Sequence, residues 1–176
     1  MSDQSVIDGY AKGLFEVARA EGTLDEVEDE LFRFARTYES NESLREALTD
    51  EMVPAAMRQK VVEDLLGDKT TPTTVQLVSM VVGSGRAREL PAIIDKLVQR
   101  ASASKNLEVA EVRSAVPLTD DQQDRLKAAL TNATGKQVNL KVIVDTSVLG
   151  GIVATVGDTV IDGSVRTRLD QLKSRL

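Results

Sequence analysis

Side chains able to do chemistry gather at four places in this chain of 176 residues, and none of them includes histidine or cysteine, because the chain has neither. Without imidazole there is no usual general base near neutral pH and the commonest metal ligand is missing; without thiol, nucleophilic dyads and zinc clusters are excluded. Carboxylates remain. Asp158 and Asp162 are candidates for a catalytic pair, and Asp25-Glu26-Val27-Glu28-Asp29-Glu30 offers the hard oxygen donors that a divalent cation takes. Gly135-Lys136 matches the end of a phosphate loop, and Gly83-Ser84-Gly85 matches the opening of a dinucleotide loop.

The neighbours argue against each. A phosphate loop needs an earlier glycine where this chain has Leu130, and a Ser or Thr where it has Gln137. A dinucleotide loop needs a third glycine where Arg88 stands, and it follows a strand, whereas Gly83 follows a helical pattern. The acids of residues 25–30 alternate with apolar positions near a helix start, where negative charge is favourable, so they read as a solvated helix face. Gly157-Asp158 suits a two-residue strand reversal, while Asp162 and Ser164 can cap a helix. The expectation is therefore no catalytic residue, no cofactor and no metal.

The elements follow from periodicity. Val6, Ile7, Tyr10, Ala11, Leu14, Phe15, Val17 and Ala18 define a first helix, and Leu24, Val27, Leu31, Phe34 and Tyr38 a second. A short third surrounds Leu44 and Leu48; a fourth opens at Pro54 and stops at Gly67. A fifth starts at Thr73 or Thr74 and ends at Gly83, and a sixth carries Leu90, Ile93, Ile94, Leu97, Val98 and Ala101. Around residues 101–106 the helical period gives way to alternation, which places a boundary between residues 1–104 and 105–176. Beyond it come a strand from about Leu107 to Val116, a helix capped by Thr119 with Gln122, and a strand in which Val138, Leu140, Val142 and Val144 alternate. The paired Gly150-Gly151 then permits a bulge or close approach before a hairpin turning at Gly157-Asp158, and Val165, Leu169, Leu172 and Leu176 form one stripe of a last helix. The fold class is α+β: an N-terminal six-helix bundle, then a small α/β domain with a short sheet and two helices.

Composition narrows the classes further. Hydrophobic residues make up 41% and aromatic residues 3%, so the core must be built mainly of Leu, Val, Ile and Ala. Residues 1–104 carry 12 Lys and Arg against 19 Asp and Glu, a net of −7, and residues 105–176 carry 10 against 9, a net of +1, which together make the −6 of the chain. The acidic first half argues against nucleic acid, whose phosphates need clustered cations. No apolar run approaches the roughly 20 residues that span a bilayer, and Met1-Ser2-Asp3-Gln4 lacks the basic start of an export signal. Any membrane association is expected to pass through partners.

Several of these segments carry a family resemblance. Gly150-Gly151, the Gly157-Asp158 turn, Asp162 with Ser164 and the Leu-bearing terminal helix resemble the C-terminal signature of the F-type ATP synthase delta subunit, the oligomycin-sensitivity-conferring protein family, in a bacterial form. Tyr10-Ala11-Lys12 with Leu14-Phe15 and Ala18 resembles its first-helix motif, Gly85-Arg86 with Leu90 its mid-chain motif, and Val112-Arg113-Ser114-Ala115 with Leu118 the start of its second half. Thr155, Gly9 and Gly13 depart from the family pattern.

The resemblance implies a stator subunit of the peripheral stalk, at the cytoplasmic face of a bacterial plasma membrane. Its first and fifth helices would receive the N-terminal helix of an alpha subunit of the catalytic head, through Tyr10, Ala11, Leu14, Phe15, Ala18, Val75, Val78, Ser79 and Val82. On this reading Leu14→Asp or Val78→Asp abolishes head binding while the chain stays folded. The C-terminal half would contact b-type stalk subunits, with Val165, Leu169, Leu172 and Leu176 serving that contact or packing inward. From the residues alone, the first and fifth helices are either central or binding surfaces, and a carboxylate enzyme or an unrelated helical adaptor remains open.

Overall fold

The structure, a computed structural model, describes residues 3–148 and 150–163. The chain divides into two compact units, residues 1–101 and 102–176.

Six helices build the first unit: α1 (Asp3–Ala20), α2 (Leu24–Ser40), α3 (Glu42–Thr49), α4 (Ala55–Leu66), α5 (Pro72–Gly83) and α6 (Leu90–Ser104, whose last residues belong to the second unit), with a 3-10 turn at Ala87–Glu89. α5 packs on α1, α2 and α4, and α3 joins α2 to α4 and the 3-10 turn. The core is the apolar stripes the spacing marks. On α6 these are Leu90, Ile93, Ile94, Leu97, Val98 and Ala101, all buried.

Local chemistry sets the helix ends. Asn41 accepts the Leu44 N–H at 3.0 Å to open α3, and Gly67 closes α4. α5 begins at Pro72 rather than at Thr73 or Thr74: Thr71 is the cap and accepts the Thr74 N–H at 3.3 Å, with proline in the first turn, where its missing N–H costs nothing. Thr73 and Thr74 are instead buried.

Among the described residues of the second unit, β1 (Glu108–Ser114), β2 (Val138–Val144), β3 (Ile152–Val156) and β4 (Thr159–Asp162) form a sheet in the order β2-β1-β3-β4, with α7 (Asp120–Thr134) between β1 and β2 in the chain. β1 and β2 are parallel, joined through α7, and β3 and β4 form the antiparallel hairpin beside β1. The register puts Ala110, Val112, Val138, Ala154 and Val156 on one face, and Leu130 of α7 completes that core with Leu118, Leu126, Leu140, Ile152 and Ile161 around it. α7 opens on the reciprocal cap of Thr119 and Gln122 and ends at Gly135, whose φ of 71° suits glycine. The alternation in β2 is incomplete, because Val144 is exposed at one end while Lys141, on the opposite face, is buried and engaged.

Candidate functional site

The residues nominated on α1 and α5 fall into two groups. Ala11, Leu14, Phe15, Ala18, Val78 and Val82 are buried in the first unit, Leu14 and Val78 at 1% exposure each. Tyr10 and Val75 are half-buried and keep surface to offer, whereas the Ser79 hydroxyl is sealed from solvent and has no hydrogen-bond partner among the described residues. The expectation that Leu14→Asp or Val78→Asp leaves the chain folded is therefore corrected: an unpaired carboxylate at either position would be forced into the core, at a cost of several kcal/mol.

A second apolar line runs along α1 beside the buried stripe, and the sequence reading named its Val6, Tyr10 and Val17 without separating them from the core. Val6, Tyr10, Gly13 and Val17 follow one another at helical spacing outside the buried stripe, with Val17 40% exposed. Exposed methionines mark the same unit, Met80 on α5 and Met57 on α4, and Met57 stands one turn from the exposed Val61. The spacing of four, three and four was present in the chain, but its residues merge with the core stripe when solvent exposure is unknown.

Other candidates find structural employment. Of the acids in residues 25–30, Asp25, Glu26 and Asp29 are exposed, as a solvated face requires, whereas Glu28 is 1% exposed and engaged. Glu30 accepts the Thr71 N–H at 3.0 Å and the Thr71 hydroxyl at 2.8 Å, so it anchors the start of α5. The solvated-face reading thus fails for these two, and for Glu30 the reason is that the start of α5 meets α2 there. Among the described residues, no group of three acids is placed to hold a metal ion.

Gly135-Lys136 likewise serves the fold, with Lys136 Nζ 2.5 Å from Glu108 Oε2. In Gly83-Ser84-Gly85, the Ser84 hydroxyl donates to the Val81 carbonyl at 2.8 Å, which seals the end of α5. Gly157 takes a φ of 56° as the first of two turn residues between paired Val156 and Thr159, a position that favours glycine, and Asp158 is its exposed partner. A side chain on Gly157 would also meet Glu108 Oε1 at 2.6 Å. Gly150 and Gly151 have φ of 115° and 75° ahead of β3, and Asp162 ends β4 opposite Val153. Ser164, Val165, Leu169, Leu172 and Leu176 lie outside the described residues.

Among the described residues, two titratable groups are displaced from their usual range. Burial pushes the Tyr38 phenol up, against the opposing pull of Arg45 and Arg88. Asp145 is held down chiefly by the Ser147 hydroxyl at 2.6 Å and the Ser147 N–H at 2.9 Å, then by Arg113 at 3.4 Å.

Comparison with known proteins agrees across both units. The model of the ATP synthase delta (OSCP) subunit family matches residues 6–176. The ATP synthase subunit delta of Streptomyces avermitilis is 45% identical over 159 residues, which are 90% of this chain and 58% of that protein. That of Nocardia farcinica is 42% identical over all of this chain and 65% of its own length, and that of Symbiobacterium thermophilum is 36% identical over all of this chain and 95% of its own. The chain thus spans less than two thirds of the first two. A chain in the cryo-EM structure of the Toxoplasma gondii mitochondrial ATP synthase hexamer superposes with a TM-score of 0.58 at 28% identity, covering 96% of each chain.

Proposed function

The chain belongs to the ATP synthase delta (OSCP) subunit family, and from that membership we propose a non-catalytic role: it links the catalytic head of an F-type ATP synthase to the b-type subunits of the peripheral stalk and resists rotation of the head. The observation that carries this reading is the extent of the family match, which includes the helical unit and the sheet unit together. The employment of the candidate carboxylates and loops in caps, turns and ion pairs supports it further.

The first unit receives the N-terminal amphipathic helix of an alpha subunit, and the second contacts the b-type stalk. Tyr10 and Val75 touch the incoming helix, while Ala11, Leu14, Phe15, Ala18, Val78, Ser79 and Val82 hold α1 and α5 in place beneath them. Torque requires slow dissociation, and nanomolar affinity corresponds to about 12 kcal/mol. Apolar burial supplies this with less dependence on salt than exposed ion pairs. No helix among the described residues is long and apolar enough to cross a membrane, so attachment at the cytoplasmic face of the plasma membrane passes through the partners.

The test is a calorimetric titration of the full chain with a synthetic alpha N-terminal helix. Tyr10→Asp and Val75→Arg place a charge on partly exposed positions, and each is expected to weaken binding by at least about tenfold, some 1.4 kcal/mol, with an unchanged thermal melt. Undiminished affinity in both would overturn the assignment of this surface.

A further inference from the structure

We propose that the cavity between α3, α4 and the 3-10 turn is an oxyanion site that takes a phosphate-type group through Arg58 and Arg88. The cavity measures about 250 Å³, and its lining includes Thr49, Glu51, Arg58, Gly85, Arg88 and Glu89.

Arg58 is the reason for the assignment. Its side chain is nine-tenths buried, its Nε has no hydrogen-bond partner, and no ion pair joins it to an acid among the described residues. Its one hydrogen bond runs from Nη1 to the Leu48 carbonyl at 3.5 Å, the outer limit for such a bond, near the end of α3. A helix-capping duty accounts for that single contact and leaves the Nε donor without a partner among the described residues. A buried guanidinium without a counter-charge is costly, so the arrangement favours any anion that reaches it.

The other lining groups are compatible with an anion. Arg88 stands 3.7 Å from Glu51, and both side chains are largely exposed, so the pair is loose and Arg88 can exchange one oxyanion for another. Glu89 is held by Arg86 at 3.0 Å. The Thr49 hydroxyl donates to the Arg45 carbonyl at 2.7 Å, which leaves the two arginines as the donors. Planar guanidinium forks match the paired oxygens of phosphate, a geometry that a single-point cation does not reproduce. The inference is independent of the stalk reading.

The experiment follows the arginine Nε–H signals of the full chain by nitrogen-15 NMR while inorganic phosphate replaces chloride at constant ionic strength. Saturable shifts of the Arg58 and Arg88 signals in the millimolar range are expected. Arg88→Gln, at an exposed position where folding is kept, and Arg58→Lys, which keeps the charge and loses the fork, should each weaken binding by roughly tenfold. Shifts that do not saturate, an affinity unchanged by Arg88→Gln, or acetate binding as tightly as phosphate would each overturn the proposal.

Discussion

Gly13 sits on the outer line of α1, and a Cβ built there meets nothing within 4 Å. Alanine is favoured over glycine inside a helix by roughly 0.5–1 kcal/mol, so Gly13→Ala is expected to raise stability by that amount in urea unfolding. If a partner helix lies along Tyr10 and Val17, the same methyl group stands between the two backbones and affinity for the alpha peptide falls. A more stable protein with weaker binding is the expected pair of results, and unchanged binding would place the partner elsewhere. Asp145 gives a second prediction at this scale. Because its folded pKa is depressed, its contribution is present above the ordinary carboxylate range and is lost as falling pH protonates the folded carboxylate. Asp145→Asn should therefore lower the denaturation midpoint at neutral pH and leave it little changed in strong acid, which urea titrations at two pH values would measure.

At the scale of elements, caps and turns explain most boundaries. Thr119 with Gln122 and Gly157-Asp158 were legible because their partners lie within three residues. The dipeptide Thr71-Pro72 carries an equally local signal for the start of α5, yet the flanking Thr73 and Thr74 compete with it as caps. What no local pattern shows is that Glu30, 41 residues earlier, completes this cap. Glu30→Ala removes charge-assisted hydrogen bonds to the Thr71 N–H and hydroxyl, and a loss of about 1–2 kcal/mol is expected, read from the shift of the urea midpoint at constant slope. A change within a few tenths of a kcal/mol would mean that water replaces the carboxylate without penalty.

The whole molecule joins a helical unit to a sheet unit, each with its own buried core. A fragment of residues 1–104 is accordingly expected to stay helical and melt cooperatively, which circular dichroism would check; a broad, non-cooperative melt would show that the first unit needs the second. Periodicity and composition alone determined the order and type of the described α-helices and strands, though not the 3-10 turn at Ala87–Glu89, because a helix or strand is selected by neighbours a few positions apart along the chain. They also marked the apolar positions of α1 and α5 without telling sealed from accessible ones. Only the tertiary structure decided that Leu14 and Val78 are core, that Tyr10 and Val75 keep a surface, and that Glu30 and Lys136 are bound to residues of other elements. The physical reason is that burial and ion pairing are set by whichever distant segment packs alongside, and spacing within one helix carries no information about that segment.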